Sequence, residues 1–272
     1  MIFDLHIHTN YSDGLLSPEE VIDLAIEKNL DGIAITDHDT VDGIETAIKY
    51  NSSLGKKLHI IPGIEFGSIE NNGEVHILGY FIDYKSSEIL DLSKELKKNR
   101  FRRSLKIVER LNNIGLDISM EDIDPLASEE IISRSHIAMA LVQKNYVKDI
   151  DDAFNLYLNR GQIAYVEKLA PDIKTTINII HSLGGIAVLA HPGLIKNKTI
   201  IKRCIDYNID GIEAIHSKHS SNDVKYLLNI AKENNLIITG GSDCHGRIIN
   251  GKYLMGKYYI NINHIPIMKE RI

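Results

Sequence analysis

The sequence predicts an α/β fold, a distorted barrel of seven strand and helix pairs interrupted by a helical insertion. Strand-like apolar runs alternate with helix-like segments along most of the 272 residues, a pattern that favours parallel pairing. Most of these runs end in a histidine or a carboxylate, as strands do where they lead into the catalytic loops of barrel enzymes. The number of strands favours a closed or nearly closed barrel over an open sheet.

Residues 1–84 are predicted to form the first part of the barrel. This part begins with the strand IFDLHIHT, and the SPEE sequence at Ser17 then supplies the N-cap, first-turn proline and capping-box glutamate of a helix. The run GIAIT predicts a buried strand, residues 41–54 a helix, and LHIIPGIEF a third strand. In GSIENNGEVHILGYF, Asn72 and Gly73 separate two β-like runs, which predicts a hairpin that decorates the parallel sheet.

Residues 85–165 form the predicted helical insertion, which we expect to cover the site as a substrate lid. A long charged helix runs through Arg110, and shorter helices follow Met120. Residues 166–272 complete the predicted barrel, because the strands IAVLAH, GIEAIH and LIITGGSD again alternate with helices.

The overall composition excludes several classes of protein. A formal charge of −6, from 31 Lys and Arg against 37 Asp and Glu, argues against a uniformly basic polyanion binder, so we expect no stable binding of duplex DNA. No run approaches the ~18 apolar residues of a membrane span, and we expect no membrane partner. Cys204 and Cys244 are too few for a disulfide framework, which predicts a cytoplasmic location.

The basic segment KELKKNRFRRSLK, from Lys94 to Lys106, allows two interpretations. It could follow a nucleic-acid backbone, since Lys and Arg contacts to phosphate dominate such binding. We favour a solvated helix face, because the basic residues spread around the helix and only Phe101 could stack on a base.

Nine polar residues at or near the strand ends are candidate metal ligands. His6 and His8 lie two apart on one strand, so both imidazoles point to the same face. Histidine nitrogen with carboxylate oxygen suits Mn²⁺, Zn²⁺ or Fe²⁺ better than Mg²⁺ or Ca²⁺. Nine ligands exceed the needs of one ion, which predicts two or three. Alternatively, these groups only terminate strands, although histidine seldom has that role. The nine candidates are His6, His8, Asp13, His38, Glu65, His76, His191, Asp243 and His245.

The motifs DLHIHTNYSDG, ITDHD, PGIEF, EVHILGY, AHPG and GSDCH, in this order, resemble those of the polymerase and histidinol phosphatase (PHP) superfamily. SRSHIAMALV and GQIAYV narrow the resemblance to its stand-alone phosphoesterases, including nucleoside 3′,5′-bisphosphate phosphatases and 5′-3′ exoribonucleases. The resemblance implies three metal positions, with Glu65 bridging two of them. Their ligand sets would be His6, His8, Glu65 and Asp243; Glu65, His76 and His191; and Asp13, His38 and His245.

The resemblance also implies that Arg134 and His136 hold the substrate phosphate, for which guanidinium geometry is suited. The alternative for Arg134 is an ordinary charge at a helix start. His219 lies in GIEAIHSKHS, which is similar to a family segment near the site, and we place it with the substrate-binding residues. Neither His219 nor Glu213 is assigned to a metal. Asp37 and Asp39 could orient the ligand imidazoles.

The predicted reaction is hydrolysis of a phosphomonoester or terminal phosphodiester by a metal-bridging hydroxide. The expected substrates are nucleoside 3′,5′-bisphosphates or the 5′ ends of short RNA. Asp13, Glu65 and His191 are the candidate catalytic residues, and Asp13 or His191 would protonate the leaving oxygen. The alternatives are a histidinol-phosphate-type phosphatase, an amidohydrolase-like metal hydrolase and a non-catalytic PHP binding domain. The oligomeric state is not predicted.

Overall fold

The computed structural model describes residues 1–55, 58–70, 73–126 and 132–272. Eight strands form a single sheet in the order β7-β6-β5-β4-β3-β2-β1-β8. Their bounds are β1 Ile2–Ile7, β2 Gly32–Ile35, β3 His59–Glu70, β4 Gly73–Tyr80, β5 Ile186–Leu189, β6 Gly211–His216, β7 Ile237–Gly241 and β8 Ile260–Asn261.

The sheet curls into a nearly closed barrel, which confirms the predicted fold class. The gap between β1 and β7 is bridged just beyond their ends, where the His8 amide donates to the Cys244 carbonyl at 3.0 Å. The eighth strand, which the sequence did not predict, pairs antiparallel with β1 at Ile2 and Phe3. Seven predicted strands therefore correspond to β1 through β7.

The expectation that a hairpin merely decorates a parallel sheet is wrong. Strand β4 lies within the barrel, between β3 and β5, and it is antiparallel to both. The sheet therefore consists of two parallel blocks joined by one reversed strand. Gly73 is the first residue of β4, whereas Asn72 lies outside the described residues.

The helices predicted after Ser17 and over about residues 41–54 are present. At the first, Ser17 and Glu20 form the expected capping box, with the Glu20 amide donating to Ser17 Oγ at 3.2 Å and the Ser17 amide donating to Glu20 Oε2 at 2.8 Å. The α-helices of the described residues are α1 Pro18–Glu27, α2 Asp42–Ser53, α3 Ser87–Asn113, α4 Met120–Ile123, α5 Arg134–Gln143, α6 Ile150–Ala153, α7 Ile173–Ser182, α8 Thr199–Asp206, α9 Ser221–Glu233 and α10 Pro266–Lys269.

Alternating residues of the strands pack into two different apolar clusters. Ile33 of β2 packs with the surrounding helices, whereas the next residue, Ala34, joins a cluster that contains Ile61 and Leu78. Because strand residues two or four apart share a face, Glu65 lies on the same face of β3 as Ile61. The polar residues of the strand ends therefore continue the inner layer of the barrel.

The inserted segment has an apolar cluster of its own. Leu111 of α3, with Ile137 and Leu141 of α5, is fully buried in it. The first turns of α3 pack elsewhere, since Leu96 belongs to the main cluster. Helix α3 thus joins the insertion to the barrel, and the boundaries at residues 85 and 165 stay a prediction. Within the described ranges, no helix has the length and apolar character needed to span a membrane.

Candidate metal centre and substrate cavity

Glu65 of β3 is the centre of a cluster of imidazoles at one end of the barrel. Its side chain is 1% exposed. Each of its two carboxylate oxygens lies 2.9–3.2 Å from at least two imidazole nitrogens. These five imidazoles are those of His6, His8, His38, His76 and His191. They come from β1, β4 and the segments that follow β1, β2 and β5, so the fold gathers them from distant parts of the chain.

Two further carboxylates complete the cluster. Asp243 Oδ1 lies 3.2 Å from His8 Nε2 and 3.5 Å from His245 Nδ1. Asp13 Oδ1 lies 3.2 Å from His245 Nε2 and 3.9 Å from His38 Nε2. The structure therefore brings all nine predicted ligands into one connected group.

The donor atoms of this group fit divalent metal ions. Several buried atoms have no hydrogen-bond partner within the described part of the chain, although unsatisfied buried polar groups are costly. Among them are His6 Nε2, His8 Nε2, Asp13 Oδ1, His38 Nδ1 and Glu65 Oε2. Two sets of four could each surround an ion: His6, His8, Glu65 and Asp243, and His8, Asp13, His38 and His245. A third set combines His38, Glu65 and His76.

The electrostatics favour ionised carboxylates and a neutral His38. Burial by itself would raise the pKa of Glu65, but the surrounding imidazoles, His38 and His6 foremost, hold that pKa well below its usual range. The pKa of Asp243 is lowered in the same way by His6 and His245. Burial lowers the pKa of His38 to about 3. Against the effect of burial, neighbouring carboxylates raise the pKa of His8 to about 10 and that of His76 to about 9. Metal ions bind deprotonated imidazoles, so they would have to displace protons from these two rings.

Glu213 of β6 orients two of the cluster's residues. It is fully buried, and its Oε1 lies 3.0 Å from His6 Nδ1, the ring nitrogen that faces away from Glu65. Its Oε2 accepts from the backbone amide of His191 at 2.7 Å. His191 has φ of +29°, an unusual backbone conformation for a residue with a side chain. The sequence left the role of Glu213 open, and the structure places it behind two predicted ligands.

His216, the last residue of β6, is a member of the cluster that sequence reasoning missed. Its Nε2 lies 3.4 Å from Asp243 Oδ2, and with His6 and Glu213 it forms a further group able to hold an ion. The strand-end rule that found the other histidines applies equally to the end of GIEAIH. We singled out His219 in that segment instead.

Ring nitrogens of His219 and His136 lie within hydrogen-bond distance of the protein backbone. His219 Nε2 accepts from the Gly193 amide at 3.1 Å, and its Nδ1 lies 2.9 Å from the Ala214 carbonyl oxygen. The Nδ1 atom of His136 accepts from the Ser133 amide at 3.2 Å in the capping box of α5. His136 is 2% exposed. Their assignment to the substrate stays a prediction.

Asp37 and Asp39 hold the chain around the site rather than the imidazoles. Asp37 accepts from the Thr9 amide at 2.7 Å and from Ser12 Oγ at 2.5 Å, which fixes the loop after β1. Asp39 forms ion pairs with Arg100 of α3 at 2.6 Å and with Lys168 at 2.8 Å. The suggestion that these aspartates hydrogen-bond ligand imidazoles is wrong.

A cavity of about 290 Å³ opens above the cluster. It is lined by Glu65 and Asp243 of the cluster and by an arginine wall from the insertion, formed by Arg100, Arg103 and Arg134. The Nη2 atom of Arg103 is buried there without a hydrogen-bond partner in the described residues. The interpretation of the basic segment as a solvated helix face is wrong for Arg100 and Arg103.

The position of Arg134 depends on ion pairs with the barrel. Its Nη2 lies 2.7 Å from Glu74 Oε2 on β4, and Glu74 Oε1 lies 3.6 Å from Lys168 Nζ. Lys168 is in turn paired with Asp39, as is Arg100. This chain of charges holds Arg100 and Arg134 in place at the cavity.

A nearly closed α/β barrel that bears a histidine and carboxylate cluster at one end defines a metal-dependent hydrolase. Residues 4–179 match the PHP domain family. The chain belongs to this family, as its motifs imply, and it is a metal-dependent phosphoesterase.

Several similar proteins are enzymes of this class. The 5′-3′ exoribonuclease Rnm of Salmonella typhimurium is 35% identical over 90% of this chain and 85% of its own. The 3′,5′-nucleoside bisphosphate phosphatase of Chromobacterium violaceum is 32% identical, covering 89% of this chain and 86% of its own. A crystal structure from Bifidobacterium adolescentis, described as a metal-dependent phosphoesterase, superposes with a TM-score of 0.88 at 28% identity, covering 99% and 96% of the two chains.

Proposed function

We propose that this protein hydrolyses phosphate esters of nucleotides, most favourably nucleoside 3′,5′-bisphosphates and the 5′ ends of short RNA. The observation that carries the proposal is that two groups of residues, each suited to phosphate, line one cavity. Ionised carboxylates and imidazoles suited to metal ions form one group, and Arg103 and Arg134 from the insertion form the other. A substrate with two phosphates would contact both groups, whereas a plain monophosphate would use only one.

The metal complement is part of the proposal. Two or three divalent ions would be held by the nine predicted ligands, with His216 as an additional candidate. We propose Mn²⁺ first, with Zn²⁺ or Fe²⁺ as alternatives, since a set of imidazole and carboxylate donors accommodates all three ions. When bound, such ions acidify a water molecule and stabilise negative charge on phosphate oxygens. Glu65 would position two ions, since five imidazoles surround its two oxygens.

The chain's own residues would bind, orient and protonate the substrate. Water adds to phosphorus, the ester P–O bond breaks, and the leaving oxygen takes up a proton. Asp13 and His191 both line the cavity. Either would pass to the leaving oxygen a proton taken from the attacking water, because imidazoles hold the pKa of Asp13 low against the effect of burial and burial lowers the pKa of His191. Arg134 would hold the phosphate that does not react, and this remote contact helps to orient the reacting group.

The proposal also covers the substrate partner and the cellular location. The substrate partner would be a mononucleotide or a short RNA end, and not duplex DNA. Cys204 and Cys244 are free and buried, which fits a reducing compartment, and a cytoplasmic location stays our prediction.

The proposal is tested by a hydrolysis screen with Mn²⁺ supplied. The panel comprises nucleoside monophosphates, 3′,5′-bisphosphates, 5′-phosphorylated short RNA, histidinol phosphate and carboxylic amides. We expect the highest kcat/KM on bisphosphates or RNA. A preference for histidinol phosphate or for amides would instead support the corresponding alternative enzyme. Binding of nucleotides without turnover of any compound would support the non-catalytic alternative.

A further inference from the structure

A second cavity, which we call the groove, lies beside the catalytic cavity on the outer face of α3. Its volume is about 800 Å³, and Lys94, Lys98, Phe101 and Arg102 contribute to its lining. Ile132 lines both this groove and the catalytic cavity. The two cavities are therefore neighbours that share a wall.

Helical spacing explains how one helix serves both cavities. Residues 94, 98, 101 and 102 are separated by four, three and one positions, which places them on one face of an α-helix. Arg100 and Arg103 fall on the opposite side of the helix, about 150° from the centre of that face at 100° per residue, and they line the catalytic cavity. Some basic residues of the segment therefore line the groove, and others line the catalytic cavity. In the sequence alone, these residues are spread around the helix and the two groups cannot be distinguished.

The groove presents two cations that have no ion-pair partner in the described ranges beside an aromatic ring, and Asp42 and Asp124 also line it. Within the described ranges, Lys98 and Arg102 form no ion pair, whereas Lys97 is paired with Asp42. Phe101 is 44% exposed and belongs to none of the apolar clusters of the described residues. A ring beside cations is the arrangement that binds a single-stranded nucleic acid, with a base stacked on the ring and phosphates on the charges.

We propose that this groove binds the downstream nucleotides of a 5′-phosphorylated single-stranded RNA whose 5′ end occupies the catalytic cavity. The inference rests on the proposed function. From Lys94 to Arg102 the helix rises about 12 Å at ~1.5 Å per residue. At ~3.4 Å per stacked nucleotide, this length accommodates about three nucleotides beyond the one being hydrolysed.

Local charge reconciles this surface with the acidic chain. A net charge of −6 opposes general attraction of polyanions, but a short groove with two free cations acts within a Debye length of ~8 Å at physiological salt. A strand would then be held only where its 5′ end can also reach the catalytic cavity. Long duplexes, with stacked and paired bases, would not offer a base to Phe101.

The test compares two substrates for each variant of the metal-loaded enzyme. The substrates are a 5′-phosphorylated tetraribonucleotide and a nucleoside 3′,5′-bisphosphate. The variants are Lys98→Ala with Arg102→Ala, and Phe101→Ala. Lys106→Ala serves as control for charge on the same helix, and Tyr259→Ala as control for an aromatic ring with the same 44% exposure.

We expect both groove variants to lower kcat/KM on the tetranucleotide about 5- to 50-fold, in line with the loss of one stacked base. Their kcat/KM on the bisphosphate should stay within about twofold of the wild type. The double variant should also lessen the salt dependence of RNA affinity, by a slope of about 0.7 for each lost phosphate contact. The two control variants should leave kcat/KM unchanged on both substrates.

Equal losses on both substrates, or no loss on RNA that the wild type degrades, would overturn the groove assignment. Hydrolysis of the bisphosphate without any activity on RNA would overturn it as well, while leaving the proposed function intact. If the wild type hydrolyses neither substrate, the proposed function fails separately. Fluorescence anisotropy with a phosphorothioate tetranucleotide then decides the groove, since weaker binding by the groove variants supports it and unchanged binding refutes it.

Discussion

At the scale of single residues, the site depends on one carboxylate that serves many partners. The two oxygens of Glu65 are each close to several imidazoles, and Glu213 fixes His6 from the opposite side of its ring. Such outer contacts determine which ring nitrogen is free and where it points. The strand ends carry the histidines, whereas the buried carboxylates determine how the imidazole rings are oriented.

Replacing Glu65 by glutamine should impair turnover far more than folding. The amide keeps the size of the side chain, but it cannot offset the charge of bound ions. We expect kcat/KM on a nucleoside bisphosphate to fall by more than about 100-fold, beyond the 10- to 100-fold typical of outer partners. Metal content and thermal unfolding are measured on the same samples, with Glu109→Gln as an exposed control. An active variant with full metal content would contradict the bridging role.

Arg134→Ala should discriminate between substrates with one and two phosphates. If Arg134 holds the unreactive phosphate, its loss costs about 1.5 to 3 kcal/mol in kcat/KM on a 3′,5′-bisphosphate, typical of a charged hydrogen bond. The loss on p-nitrophenyl phosphate should be much smaller. Steady-state kinetics on both substrates check this, with Arg160→Ala as control because Arg160 pairs with Glu167 away from the cavity lining. Equal losses would place Arg134 at the reacting phosphate, and no loss would remove it from the site.

At the scale of secondary structure, the sequence predicted local features better than long-range pairing. Capping residues and apolar runs fixed the strands and helices, because those signals lie within a few residues of each other. The NG turn signal predicts a hairpin, and β4 is indeed antiparallel to β3. The signal carries no information that β5 pairs with the other edge of β4 and so places β4 within the barrel. For a similar reason, the sequence did not predict which residues of the barrel α3 contacts. Periodicity shows that Arg100 and Lys98 lie on different faces, but not that Arg100 meets Asp39.

Arg100→Ala should loosen the contact between α3 and the barrel. Asp39 is 1% exposed, so losing its arginine leaves a buried carboxylate that, among the described residues, Lys168 alone still neutralises. Removal of one partner from a buried ion pair costs about 3 to 5 kcal/mol, and we expect the lower end of that range. Urea unfolding of the variant, beside that of Lys106→Ala, measures the change. A free energy of unfolding equal to that of the control would show that the pair contributes nothing to docking of α3.

At the scale of the whole molecule, the ligand cluster joins both ends of the chain. His8 follows β1 and Asp243 follows β7, and the two meet where the barrel closes through the His8 amide and the Cys244 carbonyl. The insertion adds the arginine wall from a segment with its own apolar cluster. Metal ions bound at this position would connect strands that are otherwise held only by the barrel's closing contacts.

Purified protein should therefore contain at least two transition metal ions per chain and lose both activity and stability on chelation. Ions that bind only the folded state stabilise it by about 2.7 kcal/mol at a hundredfold excess over Kd. At ~2–4 °C per kcal/mol for a chain of this size, chelation should lower Tm by roughly 5 to 10 °C. Elemental analysis and calorimetry measure both quantities, and added Mn²⁺ should restore them. Protein that contains no metal, and whose phosphatase activity and Tm are insensitive to chelator, would show that the cluster works as a network of ion pairs instead.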